Sequence, residues 1–236
     1  MIDKYIEIAK SIDPAGSGSN KKCYIFDDVV LLKGSFVNKG EEDLLRQQKI
    51  AMLKNAGVDV YNILDRAVIG NTRYELQERA KGEELFLTKF SLNPVEEQKF
   101  LERLDDLSRK DIPFFVKFLE DWDKILQTGL DVDPSKSTNF FYDGETIGFI
   151  DLNLANNYER RRPWMLREAG IVLSGCGLVW RCKDVQPEAQ ERVKIIFQKL
   201  GQAGLELGEN IDEFIEYVDK YNTYGLKEYF GKGYSR

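Results

Sequence analysis

Near residue 80 the hydrophobic period of this chain changes, and that switch limits the folds open to it more than any other feature. Before it, runs rich in β-branched and aromatic residues at 22–26, 29–33, 63–69 and 73–77 are separated by Gly, Asn and Asp, the pattern of strands broken by turns. Asp27-Asp28 predicts a tight hairpin between the first two runs. One helix, 41–55, interrupts the strands, with Leu44, Leu45, Ile50, Met52 and Leu53 as its apolar face and Gly57 as its stop. After residue 80 the apolar spacing becomes helical. Phe100, Leu101, Leu104 and Leu107 make one stripe. Phe114, Phe115, Phe118, Leu119, Trp122, Ile125 and Leu126 make a stronger one, led by Pro113 and closed by Gly129. Further helices are predicted at 163–179, 187–207 and 211–221. Between them a strand pair, 139–142 and 146–150, is joined by Asp143-Gly144, a strong hairpin signal. The reading is an α+β chain: residues 1–80 a small antiparallel sheet with one helix, residues 81–236 mainly helical with a β-hairpin inside.

Composition narrows the chemistry. The 236 residues include no histidine, so acid–base work at neutral pH falls to Asp, Glu, Lys, Tyr or Cys. Cys23, Cys176 and Cys182 form an odd set without a CxxC pair and read as reduced packing residues. A formal charge of −6, from 34 Lys+Arg against 40 Asp+Glu, argues against a main task of holding nucleic acid, whose affinity rests on cations neutralising phosphates. Residues 1–10 carry Asp3, Lys4 and Glu7 and lack the apolar run of an export signal. The longest uncharged apolar-rich stretch, 171–180, is about half a bilayer span. These features predict a soluble, cytoplasmic protein with no membrane span.

Three segments have residue types suited to phosphate chemistry. Gly16-Ser17-Gly18-Ser19-Asn20 precedes the first hairpin, and such a stretch lets backbone N–H groups approach a phosphate, although a surface loop has the same composition. Lys33 ends the apolar strand Val29-Val30-Leu31-Leu32, where it must snorkel outward or meet an anion. In Asp133-Pro134-Ser135-Lys136-Ser137-Thr138-Asn139, followed by the hairpin and Phe149-Ile150-Asp151, a fold-back brings two carboxylates, an amine and a carboxamide to one rim. Asn139 and Asp151 are oxygen donors suited to a magnesium ion that carries phosphates, and Asp133 is placed to accept a hydroxyl proton.

These residues resemble the protein-kinase-like phosphotransferases, the superfamily of eukaryotic-type and minimal bacterial protein kinases and of aminoglycoside and choline kinases. The run from Ser137 through Tyr142 and Gly148 to Leu152 is especially similar to aminoglycoside phosphotransferases. The resemblance implies a bilobal fold and transfer of the γ-phosphate of ATP to a hydroxyl of a small molecule or protein. Gly16, Ser17, Gly18 and Ser19 would cover the nucleotide and Lys33 would pair with its α/β-phosphates. Lys136 would meet the γ-phosphate, Asp133 would be the base, and Asn139 and Asp151 would hold Mg2+. The segment 76–86 is similar to the inter-lobe hinge, which implies Glu78 and Ala80 on adenine and Glu84 near the ribose.

The chain also departs from the family pattern. Six steps separate Asp133 from Asn139 where the family usually has five, which leaves Asp131 as the alternative base. Alignment without gaps places Gln47 where the family has the glutamate partner of the strand lysine; Glu42 is the shifted alternative. No glycine follows Asp151 and no Ala-Pro-Glu motif is present. Arg160, Arg161 and Arg162 offer a surface for an anionic acceptor. The alternative function is a kinase-fold pseudoenzyme that binds a nucleotide or a partner.

Overall fold

An apolar strand must be covered on both faces, and β3 (Val29–Gly34) lies at the centre of a five-stranded antiparallel sheet in the computed structural model of the chain. The structure describes residues 1–17, 21–34, 40–86, 92–134, 136–155, 159, 165–173, 175 and 178–203. The other strands are β1 (Gly16–Ser17), β2 (Lys21–Ile25), β4 (Ile63–Ile69) and β5 (Thr72–Glu78), in the order β1-β2-β3-β5-β4. The hairpin at Asp27-Asp28 forms as predicted, with the Phe26 amide donating to the Val29 carbonyl at 2.9 Å.

Each face of this sheet has its own cover. Helix α1 (Ile2–Ala9), which the strand-like reading of residues 1–80 did not contain, lays Ile2, Ile6 and Ala9 on Tyr24, Val29, Leu31, Tyr74 and Leu76. Helix α2 (Gly40–Asn55) crosses the other face. The apolar face expected for α2 is not the face it buries. Only Ile50 and Leu53 of the five are buried, while Leu44, Leu45 and Met52 are 56%, 45% and 64% exposed. The side of α2 that meets the sheet carries Arg46 and Gln47, because the sheet face it covers is polar.

The remaining helices surround a second core. Helix α3 (Pro94–Arg109) begins in a capping box between Asn93 and Glu96 with Pro94 at its first turn, which satisfies otherwise orphaned amides. Helix α4 (Ile112–Gln127) is capped by Asp111, whose carboxylate accepts from the Phe114 amide at 3.2 Å, and ends before Gly129 at φ 72°. The region predicted as one helix over 163–179 contains α5 (Met165–Leu173) and a separate 3-10 turn, Leu178–Arg181, followed by α6 (Gln186–Gln202). Glu97, buried in α3, accepts the amides of Lys183 and Asp184 at 2.9 to 3.1 Å and so fixes the chain just before α6. The expected helix over 211–221 lies outside the described residues, as does Cys176.

The larger core does not stop at residue 80. Val58, Val60, Tyr61 and Ile63 share it with Phe115, Trp122, Phe140, Phe149, Ile196 and the other apolar faces of the helices. Cys23 and Cys182 are free thiols, and burial pushes Cys182 up to about 12. Among the described residues, no helix is long and apolar enough to cross a membrane.

Candidate functional site

Strands β8 (Phe140–Tyr142) and β9 (Ile147–Phe149) form the predicted mid-chain hairpin in the register Phe140↔Phe149 and Tyr142↔Ile147. Asp143 closes its turn by accepting the amides of Glu145 and Thr146 at 2.9 and 2.8 Å, and Gly144 adopts φ 97°. Phe140 and Phe149 are fully buried against Trp122, with ring centroids 5.7 and 6.3 Å away. This anchoring fixes the open end of the hairpin, where the Ile150 amide donates to the Asn139 carbonyl at 2.9 Å. Asn139 and Asp151 therefore leave the hairpin at the same end.

The preceding segment winds back onto this end. The amides of Lys136 and Asn139 donate to the carbonyls of Asp133 and Lys136 at 3.3 and 3.0 Å, and the buried Asn139 carboxamide donates to the Asp133 carbonyl at 3.3 Å. Lys136 Nζ lies 3.4 Å from Asp133 Oδ2. Strand β7 (Leu130–Asp131) pairs with β10 (Asn153–Leu154), setting Asp131 opposite Asn153. One short ladder thus ties the chain before Asp133 to the chain after Asp151. Asp133, Lys136 and Asn139 are thus linked to one another at the end of the hairpin from which Asp151 leaves; Asp131 lies in the ladder, its carboxylate accepting the Val132 amide at 2.9 Å.

Asp151 adopts φ 54°, and among the described residues it is the only non-glycine in the left-handed region. Such a conformation costs on the order of 1 kcal/mol and persists where surrounding contacts impose it. Here they are the Asn153 carboxamide, which donates to the Asp151 carbonyl at 2.7 Å, and Arg46 Nη1, which donates to the Leu152 carbonyl at 3.3 Å. The Asp151 carboxylate receives Lys21 Nζ at 2.9 Å, with both side chains about one-third exposed at 35% and 33%.

The lysine facing Asp151 is therefore not Lys33. Strand β3 pairs in unbroken register with both neighbours, setting Lys33 opposite Lys22 and Tyr74. Directly opposed residues share a face, so Lys33 belongs to the α1 side with Leu31 and Tyr74, and its Nζ stands 5.9 Å from the Tyr74 ring centroid. Lys21, one residue out of phase with Lys22, points to the α2 side. The expected partners of Lys33 are corrected by the same geometry, since Gln47 and Glu42 are carried by α2 across the sheet. Gln47 donates to the Ile63 carbonyl and accepts from Arg66, each at 3.3 Å.

The ion pair between helix and sheet has the opposite polarity to the one implied by the resemblance. Glu75 on β5 is 6% exposed and receives Arg46 at 2.5 Å, Arg66 at 3.0 Å and Arg73 at 3.1 Å, while Arg73 also pairs with Asp43. Burial alone would raise the Glu75 carboxyl, but Arg46, Arg66 and the Gln77 amide outweigh it and hold it down at about 2. Arg46 also donates to Tyr61 Oη at 3.1 Å. Sequence reasoning passed over Lys21, Arg46 and Glu75. The available signal was the alternation of Arg73, Glu75 and Gln77 with Tyr74 and Leu76, which resembles a solvent-facing edge but is covered by α2.

The other expected ligand contacts are spread along the path from the sheet to the hairpin. Gly16 and Ser17 form β1, opposite Cys23 and Lys22; Gly18 and Ser19 lie outside the described residues, as do Arg160, Arg161 and Arg162. The Glu78 carboxylate is tied to Lys54 and to the Asn62 amide and carboxamide. Ala80 follows it half-buried in the connection to β6 (Glu83–Glu84). Glu84 pairs with Phe141, and the Leu85 amide donates to the Phe140 carbonyl at 2.8 Å. The connection after β5 thus runs directly onto the hairpin that carries Asn139. A cavity of about 360 Å³ opens between β6 and α3, lined by Glu83, Glu84, Phe86, Phe100 and Arg103 among others.

The donors at the rim suit a hard cation shared with phosphates. Among the described residues, no three His, Cys, Asp or Glu side chains form a metal-binding group, so a cage built from such side chains is not available there. One carboxylate and one carboxamide oxygen match the sparse protein coordination of magnesium, and the Asp151 carboxylate is paired with the Lys21 ammonium. No protein-family model matches the chain, and no curated protein matches it.

Proposed function

We propose that this chain is a magnesium-dependent phosphotransferase that moves the γ-phosphate of ATP to a hydroxyl of a small molecule or protein in the cytoplasm. The observation that carries this reading is the fold-back that ties Asn139 to Asp133, joins the Asn139 backbone to Ile150 next to Asp151, and leaves the Asp151 carboxylate paired with an amine from the sheet. In this reading residues 1–80 form the nucleotide-binding lobe and residues 81–236 the catalytic lobe of a bilobal, protein-kinase-like fold. ATP lies between them, with adenine beside Glu78 and Ala80, ribose near Glu84, and phosphates beside Gly16 and Ser17 of β1.

Asn139 and Asp151 would hold Mg2+, which neutralises phosphate charge when bound. The acceptor oxygen attacks the γ-phosphorus, the bond to the bridging oxygen of the β-phosphate breaks, and ADP leaves. The Asp133 carboxylate takes the acceptor proton. Lys136, beside Asp133, compensates charge on the transferred group. Positioning and electrostatics supply most of the rate, as phosphoryl transfer requires. A second reading, a kinase-fold pseudoenzyme that binds a nucleotide or a partner, is favoured by the place of Lys33 on the α1 face.

The test is ATP-dependent thermal stabilisation with and without Mg2+, followed by ADP release in the presence of a cell extract. The expected result is Mg2+-dependent release that is lost in Asp151→Asn, a substitution the left-handed backbone tolerates. Turnover unchanged in that variant refutes the assignment; stabilisation by ATP without ADP release supports the pseudoenzyme.

A further inference from the structure

We infer that Lys21 on β2, rather than Lys33 on β3, is the residue that binds the polyphosphate of a nucleotide, and that its ion pair with Asp151 is the ligand-free state of the phosphate and metal site. The inference rests on the phosphotransferase reading and assigns within it a residue that the family resemblance did not indicate.

Three observations carry it. Strand parity removes Lys33, whose ammonium lies over Tyr74 on the face covered by α1. The same parity turns Lys21 toward α2 and Asp151, at the end of β2 that follows Gly16–Asn20 in the chain. The neighbouring cation from α2, Arg46, is only 13% exposed and committed to Glu75, Tyr61 and the Leu152 carbonyl. Lys21 is 33% exposed and Asp151 is 35% exposed, so their contact is within reach of a soluble ligand.

The energetics allow the exchange. A solvent-accessible Lys–Asp pair is weak, whereas an ammonium against a polyphosphate makes stronger charge-assisted hydrogen bonds. Lysine holds three donors on a flexible stem. Its ammonium can therefore move from the carboxylate to phosphate oxygens, and Asp151 is then free for the divalent cation that accompanies them. Lys21 thus substitutes for that cation until the nucleotide brings one.

The full chain and its Lys21→Met, Lys21→Arg, Lys33→Met and Asp151→Asn variants are titrated with ATP plus Mg2+, with adenosine, and with Mn2+ alone, by calorimetry. Lys21→Met is expected to weaken ATP about tenfold or more, to leave adenosine unchanged, and to be partly rescued by Lys21→Arg. Lys33→Met is expected to bind ATP within about twofold of the unsubstituted chain, as a surface change should. Removal of the competing ammonium should tighten Mn2+ by about two- to fivefold, and Asp151→Asn should abolish that binding. Equal weakening of ATP and adenosine by Lys21→Met, or a tenfold loss of ATP in Lys33→Met alone, overturns the assignment while the phosphotransferase reading stands. Failure of the unsubstituted chain to bind ATP overturns that reading and this inference with it.

Discussion

Replacing Glu75 by glutamine keeps the size of the side chain and removes the negative charge on which three guanidinium groups converge. The cost follows from the depression of the Glu75 carboxyl from 4.5 to about 2. That depression corresponds to about 3 kcal/mol of folding stability at pH 7. Burial supports the full conversion, since Glu75 is 6% exposed and Arg46 and Arg73 are each 13% exposed. Arg66 Nη2 already lacks an acceptor, and Asp43, paired with Arg73, is the other carboxylate beside the cluster. The sign of the pH dependence is fixed. A carboxyl lower in the folded state contributes fully above about pH 4.5 and loses that contribution as pH falls toward 2. At pH 3 the same two values leave roughly 1 kcal/mol. Urea unfolding of the natural chain and Glu75→Gln at pH 7 and pH 3, followed by tryptophan fluorescence, should therefore show a gap that shrinks by about 2 kcal/mol. A gap of the same size at both pH values, or one below about 1 kcal/mol at pH 7, would refute the reasoning, because buried guanidinium groups that lose their carboxylate partner should cost more.

Gly82 and Gly57 share φ 78°, but a Cβ at Gly82 would lie 2.2 Å from the Tyr142 carbonyl oxygen whereas one at Gly57 meets nothing within 4 Å. Thermal unfolding should therefore show a loss of more than about 2 kcal/mol for Gly82→Ala and about 1 kcal/mol for Gly57→Ala; equal losses would mean that β6 does not press on β8. Trp122 is fully buried with its indole N–H unpartnered. Trp122→Phe should cost less than about 1.5 kcal/mol by urea unfolding because it removes an orphaned donor along with some packing, while Trp122→Ala should cost about 3 to 5 kcal/mol.

The candidate rim was legible because its assembly is local. Asp143-Gly144 announces a two-strand fold-back, and once that hairpin forms, Asn139 and Asp151 must leave it together. Asp133 and Lys136 lie within one winding segment of Asn139, so no distant contact is needed to gather them. The sheet residues were different. Val29, Val30, Leu31 and Leu32 are apolar on both sides of the strand, so the run shows no alternation and cannot indicate which face Lys33 takes. The phase is set by α1, whose Ile2, Ile6 and Ala9 cover Leu31 and Tyr74. Helix α2 misleads for a related reason, because an apolar stripe implies a buried side only when the surface opposite it is apolar too. Its partner surface carries Glu75, which recruits Arg46 and leaves Leu44, Leu45 and Met52 outside.

From its own order of residues the chain determines where strands give way to helices, where the mid-chain hairpin turns, and that no imidazole is available to it. Those properties depend on neighbours within a few positions, so local patterning suffices. Only the tertiary structure decided that Lys21 and not Lys33 meets Asp151, and that Glu75 sits buried among arginines rather than on an open edge. Each is a matter of which element covers which face, and that depends on contacts between segments up to 130 residues apart.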